Sequence, residues 1–284
     1  MKVGIHANPD KGTTLATLAR LRAEFDRCGI EAVLEQETAA RLGEPGGVAW
    51  ERLAAAVELV AVLGGDGTML EAVMKLGPAE IPVAGVNTGR LGFLTSCTDD
   101  EVDQFAVALA ARRFAVSRRT LLDVEVHQPG RGIHRTTGLN EVVVARGLTG
   151  KLALLSASID GALVNHYRAD GLIVSTPTGS TAYSLSAGGP LISPAANVLV
   201  ITPICPHTLG HRSLVVDDDS VIELAPEQGS DAPMLFTVDG RDSLELASAA
   251  RVVVRKAQRR LHLLRFEGHS FYEALRSKLN WRGG

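Results

Sequence analysis

A run of apolar residues that leads directly into a glycine-rich turn constrains the fold of this chain more than any other feature. Residues 59–63, with the sequence LVAVL, are typical of a buried strand. They pass through residues 64–68, GGDGT, into a segment at 69–76 with apolar residues at helical spacing. A strand joined to a helix in this way is the repeating unit of a parallel α/β sheet. The junction also offers free backbone N–H groups and the positive end of a helix dipole, a combination that binds anions.

The same alternation of strands and helices runs through the N-terminal part of the chain. Hydrophobic periodicity predicts strands at residues 3–7, 30–34, 59–63 and 81–86. It predicts helices at residues 13–28, 50–56, 69–76 and 100–111. This spacing predicts a Rossmann-like α/β domain, in which helices cover both faces of a parallel sheet.

Beyond residue 118 the hydrophobic period changes to two, and turn dipeptides such as Asp160-Gly161 and Asp239-Gly240 separate the segments. Strands are predicted at residues 121–127, 140–145, 153–160, 172–175, 198–201, 220–224, 235–238 and 250–256. Because no helix is predicted among them, we expect an antiparallel all-β domain. A last segment, 269–281, has helical spacing and is expected to pack back as a C-terminal helix. The predicted division is an α/β domain of residues 1–117 plus 267–284 and a β-rich domain of residues 118–266.

The charge and the cysteine content exclude several classes of protein. Lysine and arginine number 29 and aspartate and glutamate 32, so the net charge of −3 gives no general attraction to nucleic acid or to an anionic membrane. Cys28, Cys97 and Cys205 are scattered, which is typical of reduced thiols in a cytosol. The charge-free run 171–211 contains too many prolines, glycines and hydroxyl groups for a membrane helix. We therefore expect a cytoplasmic protein that binds neither nucleic acid nor membrane.

The carboxylate of Asp66 is the anomaly of the GGDGT junction. The three glycines allow the backbone to approach a ligand, and phosphate suits a helix N-terminus. A carboxylate among phosphate-binding amides suits a base or a metal partner beside the phosphate. The alternative interpretation is a tight turn in which Asp66 only caps the helix.

Three further motifs stand where ligand-binding residues are expected. Residues 87–94 follow another predicted strand of the parallel sheet, so two strand ends deliver loops to the edge where α/β proteins bind ligands. Asn140 and Glu141 form a polar pair at the mouth of an apolar strand. Residues 168–190 contain a loop rich in hydroxyl groups and glycine, a composition that suits ribose and phosphate. Each motif also has a plain structural alternative: a conformational turn, a strand-end turn and a polar crossover loop.

Other common catalytic and metal motifs are absent or incomplete in the sequence. Neither a P-loop, GxxxxGK[ST], nor a dinucleotide fingerprint, GxGxxG, occurs at a strand–helix junction. A nucleophile elbow of the GxSxG type is missing as well. Cys205, His207 and His211 have metal-ligand spacing but lack the fourth ligand of a structural zinc site. No metal site built from protein side chains is therefore predicted.

Together these motifs resemble those of the NAD kinase family. Residues 64–68, 87–93, 140–141 and 170–190 occur in the order of that family, and the resemblance spans essentially the whole chain. The GGDGT loop is shared with diacylglycerol-type lipid kinases and, more loosely, with phosphofructokinases. The Asn-Glu pair and the loop 178–183, TGSTAY, are features of the NAD kinases and not of the lipid kinases.

The resemblance implies an enzyme that phosphorylates the 2′-hydroxyl of the adenosine ribose of NAD, giving NADP. The implied donor is ATP or polyphosphate, with a divalent metal, Mg²⁺, accompanying ATP. Asp66 is the implied proton acceptor, and the implied assembly is a homo-oligomer, either a dimer or a tetramer. The residues expected to contact substrate or nucleotide are Gly67, Asn140, Glu141, Lys151, Arg168, Asp170, Thr181, Ala182, Tyr183, Ser184, Leu185, Ser186 and Arg241. Related sequences often have glutamine at position 241, so the arginine departs from the family pattern.

The sequence leaves two other functions open. A lipid or sugar kinase could use the same GGDGT loop, but an apolar acyl channel is expected beside it, and the loop here is rich in hydroxyl groups instead. A non-catalytic dinucleotide sensor would bind NAD but would not need a base at Asp66. For Tyr183, packing against adenine and a place in the protein core are the two alternatives.

Overall fold

The structure is a computed structural model that describes residues 1–8, 13–89, 92–147, 152–208, 210–227 and 233–281. The chain divides into two compact units. The first unit is Met1–Arg118 together with Leu261–Gly284, and the second is Arg119–Arg260. The chain therefore returns to the first unit at Leu261, within its last strand (Arg251–Arg265) and six residues before the predicted boundary at residue 267.

The elements follow one another as the sequence pattern indicates, with helices concentrated in the first unit. The helices are α1 (Thr14–Arg27), α2 (Gln36–Leu42), α3 (Trp50–Ala56), α4 (Asp66–Lys75), α5 (Val102–Ala110), α6 (Tyr183–Ser186) and α7 (Phe271–Lys278). The strands are β1 (Lys2–Ala7), β2 (Glu31–Leu34), β3 (Leu59–Leu63), β4 (Val83–Asn87), β5 (Cys97–Thr98), β6 (Ala115–Gln128), β7 (Gly132–Gly138), β8 (Glu141–Arg146), β9 (Ala153–Ile159), β10 (Ala162–Ala169), β11 (Gly171–Ser175), β12 (Val198–Ile204), β13 (Leu214–Asp217), β14 (Ile222–Pro226), β15 (Met234–Val238), β16 (Ser243–Leu246) and β17 (Arg251–Arg265). Short 3₁₀ turns occupy Asp99–Glu101 and Gly179–Thr181.

The first unit contains the predicted parallel sheet, and its strands have the order β2-β1-β3-β4. Leu263 of β17 continues it in parallel beside Val83. The strand β3 is buried along its whole length because both of its faces are covered. One face packs on α1 and α5 through an aromatic pair, Phe25 and Phe105, and on the other face the side chain of Leu53 lies against Gly4.

The C-terminal helix α7 packs on the first unit, which confirms the expectation for the tail. The hydroxyl of Ser270 caps it by accepting a hydrogen bond from the Glu273 N–H at 3.1 Å. The ring of Phe271 lies 6.0 Å from that of Phe93, and the ammonium of Lys278 stands 5.9 Å from the centre of the Phe93 ring. The residue at 93 is thereby fixed between two side chains of α7.

The second unit is built from antiparallel strands, which confirms the predicted β domain. One sheet has the order β13-β12-β11-β8-β15-β16. The other joins β10, β9 and β14 to residues 252–254 of β17, and β6 pairs with β7 as a hairpin. Side chains of both sheets share one core, where Val142 and Phe236 meet Leu155 and Leu224. The strands β9, β14 and β15 alternate buried and half-buried residues, as an antiparallel sheet with one wet face does, whereas β11 is buried along its whole length.

Several elements differ from the sequence prediction. The helix after the GGDGT strand begins at Asp66 and not at residue 69, so three residues of the motif belong to its first turn. The helix α2 was not predicted, although its ends carry ordinary signals: the side chain of Glu35 caps its start, and Gly43 ends it at a φ of 68°. The strands β7, β10, β13 and β16 were also missed because few of their positions are buried, which weakens the alternation. The strands β6 and β17 are longer than predicted, and α6 is a single helical turn where none was expected.

Among the described residues, none of the helices has the length and the apolar character that a membrane crossing requires.

Candidate active site

The carboxylate of Asp66 is held at the N-terminus of α4 by the backbone of a neighbouring loop. Its Oδ2 accepts a hydrogen bond from the Phe93 N–H at 3.1 Å, and its Oδ1 accepts one from the Leu94 N–H at 3.0 Å. The N-cap position is Gly65, and no side chain caps the helix. Asp66 is therefore the first residue of the helix and bonds to the neighbouring loop, and it is not the N-cap residue. Since each carboxylate oxygen can accept more than one hydrogen bond, the group keeps capacity for a further donor.

Two glycines are required by this arrangement. A Cβ at Gly92 would lie 2.0 Å from Oδ1 of Asp66, so only glycine allows the loop to approach the carboxylate so closely. Gly64 has a φ of +148°, and a Cβ there would meet the hydroxyl oxygen of Thr68 at 2.3 Å. A Cβ at Gly65 or Gly67 would meet nothing within 4 Å. Of the three glycines in the GGDGT motif, Gly64 is thus closely packed, and Gly65 and Gly67 leave room for a side chain.

The structure brings the two predicted loops of the first unit to one edge of the parallel sheet. Leu63 at the end of β3 is in register with Val86 near the end of β4. Beyond β4, Oδ1 of Asn87 accepts a hydrogen bond from the Gly89 N–H at 2.9 Å and forms a tight turn. The motif residues 90 and 91 lie outside the described part of the chain. Because ligands of open α/β sheets bind at this edge, the loops stand where a phosphate group is expected.

A positive charge near Asp66 was missed by the sequence analysis. Arg265, at the end of β17, donates a hydrogen bond from Nη1 to the carbonyl oxygen of Thr95 at 3.3 Å. Burial lowers the pKa of its guanidinium, and the charge of Asp66 opposes that shift. No local motif marks an arginine so far along the chain from the GGDGT loop, and only the pairing of β17 with β4 reveals it.

In the second unit, Asn140 and Glu141 stand at the mouth of β8 and are almost buried, with 9% and 6% of their surface exposed. Glu141 is in register with Ser175 at the end of β11. The carbonyl oxygen of Asn140 accepts a hydrogen bond from the Thr176 N–H at 2.9 Å. A Cβ at Gly179 would lie 2.1 Å from that same carbonyl oxygen. The polar pair and the hydroxyl-rich loop therefore form one packed cluster.

The surroundings of Glu141 favour the protonated form of its carboxyl group. Burial and the neighbouring charge of Asp239 raise its pKa to about 8, although the Tyr183 N–H donates to it. Its Oε2 atom is buried and has no hydrogen-bond partner within the described ranges. A buried polar atom without a partner costs stability unless a ligand or water satisfies it, so this oxygen is suited to bind a ligand.

The predicted residues 181–186 divide into ligand-accessible and internal ones. Tyr183 is 44% exposed, so its ring does not belong to the protein core. Ser186 is exposed, and Thr181, Ala182 and Leu185 are half-buried. Ser184 is buried, and its hydroxyl shares a hydrogen bond with the hydroxyl of Thr202 at 2.9 Å. The side chain of Ser184 is thus engaged within the protein.

The other predicted contact residues are more scattered. Arg168 is exposed on β10. Asp170 forms an ion pair with Arg146, at 2.6 Å between Oδ1 and Nε. Arg241 is exposed in the turn that follows β15, and its N–H donates to the Val238 carbonyl at 2.8 Å. Lys151 lies outside the described residues.

The structure assembles no group of three or more metal-ligating side chains in the ranges that it describes. Of the three residues with metal-ligand spacing, Cys205 is exposed, and the ring of His211 packs against Tyr167 at 4.9 Å.

Comparison with known families matches both halves of the chain. The family model described as "ATP-NAD kinase N-terminal domain" matches residues 3–114, and the one described as "ATP-NAD kinase C-terminal domain" matches residues 139–266. A protein of Nitrosomonas eutropha named NAD kinase is 40% identical over 281 residues, which cover 98% of this chain and 93% of that protein. An NAD kinase of Cellvibrio japonicus is 38% identical over 291 residues, covering 99% and 96%.

Two solved structures have the same fold. The crystal structure of yeast NADH kinase complexed with NADH superposes with a TM-score of 0.91 and covers 100% of this chain and 89% of its own. That of an NAD kinase from Archaeoglobus fulgidus in complex with ATP gives a TM-score of 0.77 and covers 100% of both chains. Both are 24% identical to this chain, so they establish the architecture, which agrees with the predicted fold class.

Proposed function

The chain belongs to the NAD kinase family and is an NAD kinase, and from that premise we propose how it performs the reaction. The γ-phosphoryl group of ATP is transferred to the 2′-hydroxyl of the adenosine ribose of NAD, giving NADP and ADP. Asp66 accepts the hydroxyl proton as the ribose oxygen bonds to phosphorus and the bond to the β-phosphate oxygen breaks. The observation that carries this proposal is the fixed carboxylate of Asp66 at a helix N-terminus, held by the N–H groups of Phe93 and Leu94.

A base at this position has a clear chemical use. A ribose hydroxyl is a poor nucleophile at neutral pH, and a positioned general base contributes a factor of about 10² to 10⁴. The carboxylate is fixed before substrate arrives, so little alignment is left for the reaction itself. The space around the Cα atoms of Gly65 and Gly67 leaves room for a phosphate beside the helix N-terminus, and Arg265 supplies positive charge near Asp66. Together these groups would stabilise the charge on the phosphoryl group in transfer.

Dinucleotide binding is assigned to the second unit. The unpartnered oxygen of Glu141 and the exposed ring of Tyr183 support contacts to polar groups and to the adenine face. Residues 140, 168, 170, 181–186 and 241 retain the roles that the family resemblance implies, with Ser184 acting through its backbone because its hydroxyl is engaged.

Mg²⁺ enters the proposal as part of the donor substrate, Mg-ATP. The described side chains provide no resident metal site, so no step is assigned to a protein-bound ion. ATP or polyphosphate serves as donor.

We also propose that the enzyme is a cytoplasmic homo-oligomer. Three free cysteines support a reducing compartment. Among the described strands, β10 pairs only with β9 and exposes Leu163 and Val164, and such an edge with apolar side chains supports association of subunits. Light scattering coupled to size-exclusion chromatography measures the assembly, and a monomer at micromolar concentration would contradict this part of the proposal.

The test is NADP formation by the purified protein from NAD and Mg-ATP, followed with an NADP-specific dehydrogenase. Parallel reactions replace NAD with NADH or diacylglycerol, and ATP with polyphosphate. We expect NADP from NAD and no phosphorylation of diacylglycerol. Calorimetric NAD binding without NADP formation would favour the sensor, and phosphorylation of diacylglycerol would favour the lipid kinase.

A further inference from the structure

One carboxylate holds the backbone of the dinucleotide-binding pair. Oδ2 of Asp239 accepts a hydrogen bond from the Leu139 N–H at 2.7 Å. Its Oδ1 accepts bonds from the N–H groups of Asn140 at 2.8 Å and Glu141 at 3.0 Å. Asp239 is 7% exposed, and its carboxylate accepts hydrogen bonds from three consecutive backbone N–H groups. Hydrogen bonds to an ionised acceptor are about twice as strong as neutral ones.

The same short segment is held from its carbonyl side. The Asp239 N–H donates to the carbonyl oxygen of Glu141 at 3.0 Å. The hydroxyl of Thr176 donates to the carbonyl oxygen of Leu139 at 2.6 Å. Residue 239 has a φ of 49°, a left-handed conformation that aspartate tolerates better than most residues. The backbone from 139 to 141 is therefore clamped on both sides before any ligand binds.

We propose that Asp239 is a positioning residue for dinucleotide binding: its carboxylate fixes the backbone of residues 139–141 and so presents the side chains of Asn140 and Glu141 to NAD. The inference rests on the proposed function, because it assumes that this pair contacts the dinucleotide. Asp239 itself acts through its neighbours and not by touching substrate. The sequence shows only the Asp-Gly dipeptide of a turn, and the fold reveals what the carboxylate binds.

The charge of Asp239 has a second effect on the same pair. It opposes ionisation of Glu141, adding to the effect of burial, and so keeps that carboxyl protonated to about pH 8. The groups around Glu141 are Asp239 after β15, the Tyr183 N–H of α6, and Arg241, whose charge acts on Asp239. Removing the charge at position 239 lowers the pKa of Glu141. If NAD binding depends on the ionisation of Glu141, the pH at which binding changes therefore falls as well.

The chain contains a matched control for this residue. Asp160 also precedes a glycine, has a φ of 51°, and accepts a backbone hydrogen bond across the sheet, from the Val221 N–H at 2.9 Å. Its own N–H donates to the Val221 carbonyl at 2.9 Å. Asp160 is exposed in a hairpin turn. Replacing it therefore disturbs the same kind of turn without disturbing the Asn-Glu pair.

The experiment measures Kd for NAD by calorimetry, the kinetics of NADP formation and the melting temperature for four variants: Asp239→Ala, Asp239→Asn, Asp160→Ala and Asp160→Asn. We expect Asp239→Ala to raise Kd and KM for NAD by about tenfold or more, because three charge-assisted hydrogen bonds are lost. Asp239→Asn keeps one acceptor oxygen and should have a smaller effect. In both, kcat should change much less than KM, and the Asp160 variants should bind NAD as the wild type does.

The pH profile separates positioning from a general loss of structure. In the wild type, kcat/KM for NAD should break near pH 8, and in folded Asp239→Asn the break should move to lower pH. The inference is overturned if Asp239→Asn is folded, has the wild-type Kd for NAD and shows the pH break of kcat/KM at the wild-type position. It is also overturned if the Asp160 variants raise Kd for NAD as much as the Asp239 variants do. Calorimetry distinguishes failure of the kinase mechanism from failure of the Asp239 inference. If the wild type binds NAD but forms no NADP, the kinase mechanism is wrong. The Kd values of the Asp239 and Asp160 variants then still test the role of Asp239.

Discussion

The glycine at position 92 gives a sharp test of how precisely the carboxylate proposed as the base must be placed. Replacing Gly92 with alanine adds a Cβ that would lie 2.0 Å from Oδ1 and 2.7 Å from Cγ of Asp66. A carbon and an oxygen normally stay about 3.3 Å apart. The carboxylate or the loop must therefore move by about 1 Å, since the contact involves the base itself.

A displacement of this size has a predictable cost. Misplacing a catalytic group by about 1 Å lowers the rate by about 10²-fold. That corresponds to about 2.7 kcal/mol of lost transition-state stabilisation. The hydrogen bonds from Phe93 and Leu94 to Asp66 should weaken at the same time, so a modest fall in melting temperature accompanies the loss. NAD binding should persist, because its proposed contacts lie in the second unit.

The assay compares kcat for NADP formation, Kd for NAD and the melting temperature of Gly92→Ala with those of Gly89→Ala. A Cβ at Gly89 would meet only the side-chain oxygen of Asn87 at 3.8 Å, an ordinary contact. Gly89→Ala, in the same loop but without this clash, should therefore lose much less of kcat than Gly92→Ala. If Gly92→Ala is folded and turns over at the wild-type rate, the position of Asp66 seen here does not govern catalysis.

Two further predictions concern ligand binding and stability. Tyr183→Ala should raise KM for NAD without lowering the melting temperature, because the ring is 44% exposed; an unchanged KM with a lower melting temperature would place the ring in a structural role. Burial of Glu35 opposes its ionisation, but the His6 ring and the N–H groups of Glu37 and Thr38 hold its pKa at about 2. This group therefore stabilises the fold above pH 4.5, and the effect is lost as the pH falls towards 2. In urea unfolding, Glu35→Gln should be less stable than wild type by about 2 to 3 kcal/mol at neutral pH, and the difference should shrink at low pH. The exposed Glu51→Gln should have the stability of the wild type at both pH values. If the difference for Glu35→Gln stays constant across pH, ionised Glu35 does not stabilise the fold.

Much of the α/β half can be predicted from the sequence because local signals agree with the tertiary structure. The strand at 59–63 is apolar throughout, and a strand buried on both faces requires such a run. The helix at 50–56 has the predicted bounds. The missed helix α2 is only one to two turns long and lacks a long apolar stripe, so capping by Glu35 and packing stabilise it more than periodicity does.

The candidate site was predictable only where function concentrates in short motifs. Asp66 and the pair at 140–141 stand in such motifs, but their partners do not. Asp239 is distant in sequence from the backbone of residues 139–141, and Arg265 is distant from Asp66. Only the pairing of strands brings each of them close to its partner. The hydrogen bond between the hydroxyls of Ser184 and Thr202 could not be predicted from the sequence either. Local pattern thus predicted the candidate ligand contacts, while the fold identified the side chains that bond to them or lie beside them.

The central claim is that Asp66 accepts the ribose proton, and the most direct measurement is the turnover number of Asp66→Asn with saturating NAD and Mg-ATP. We expect Asp66→Asn to be folded, with unchanged Kd for NAD and with kcat lower by a factor of about 10² to 10⁴. A folded variant that forms NADP at close to the wild-type rate would contradict the claim and require another base.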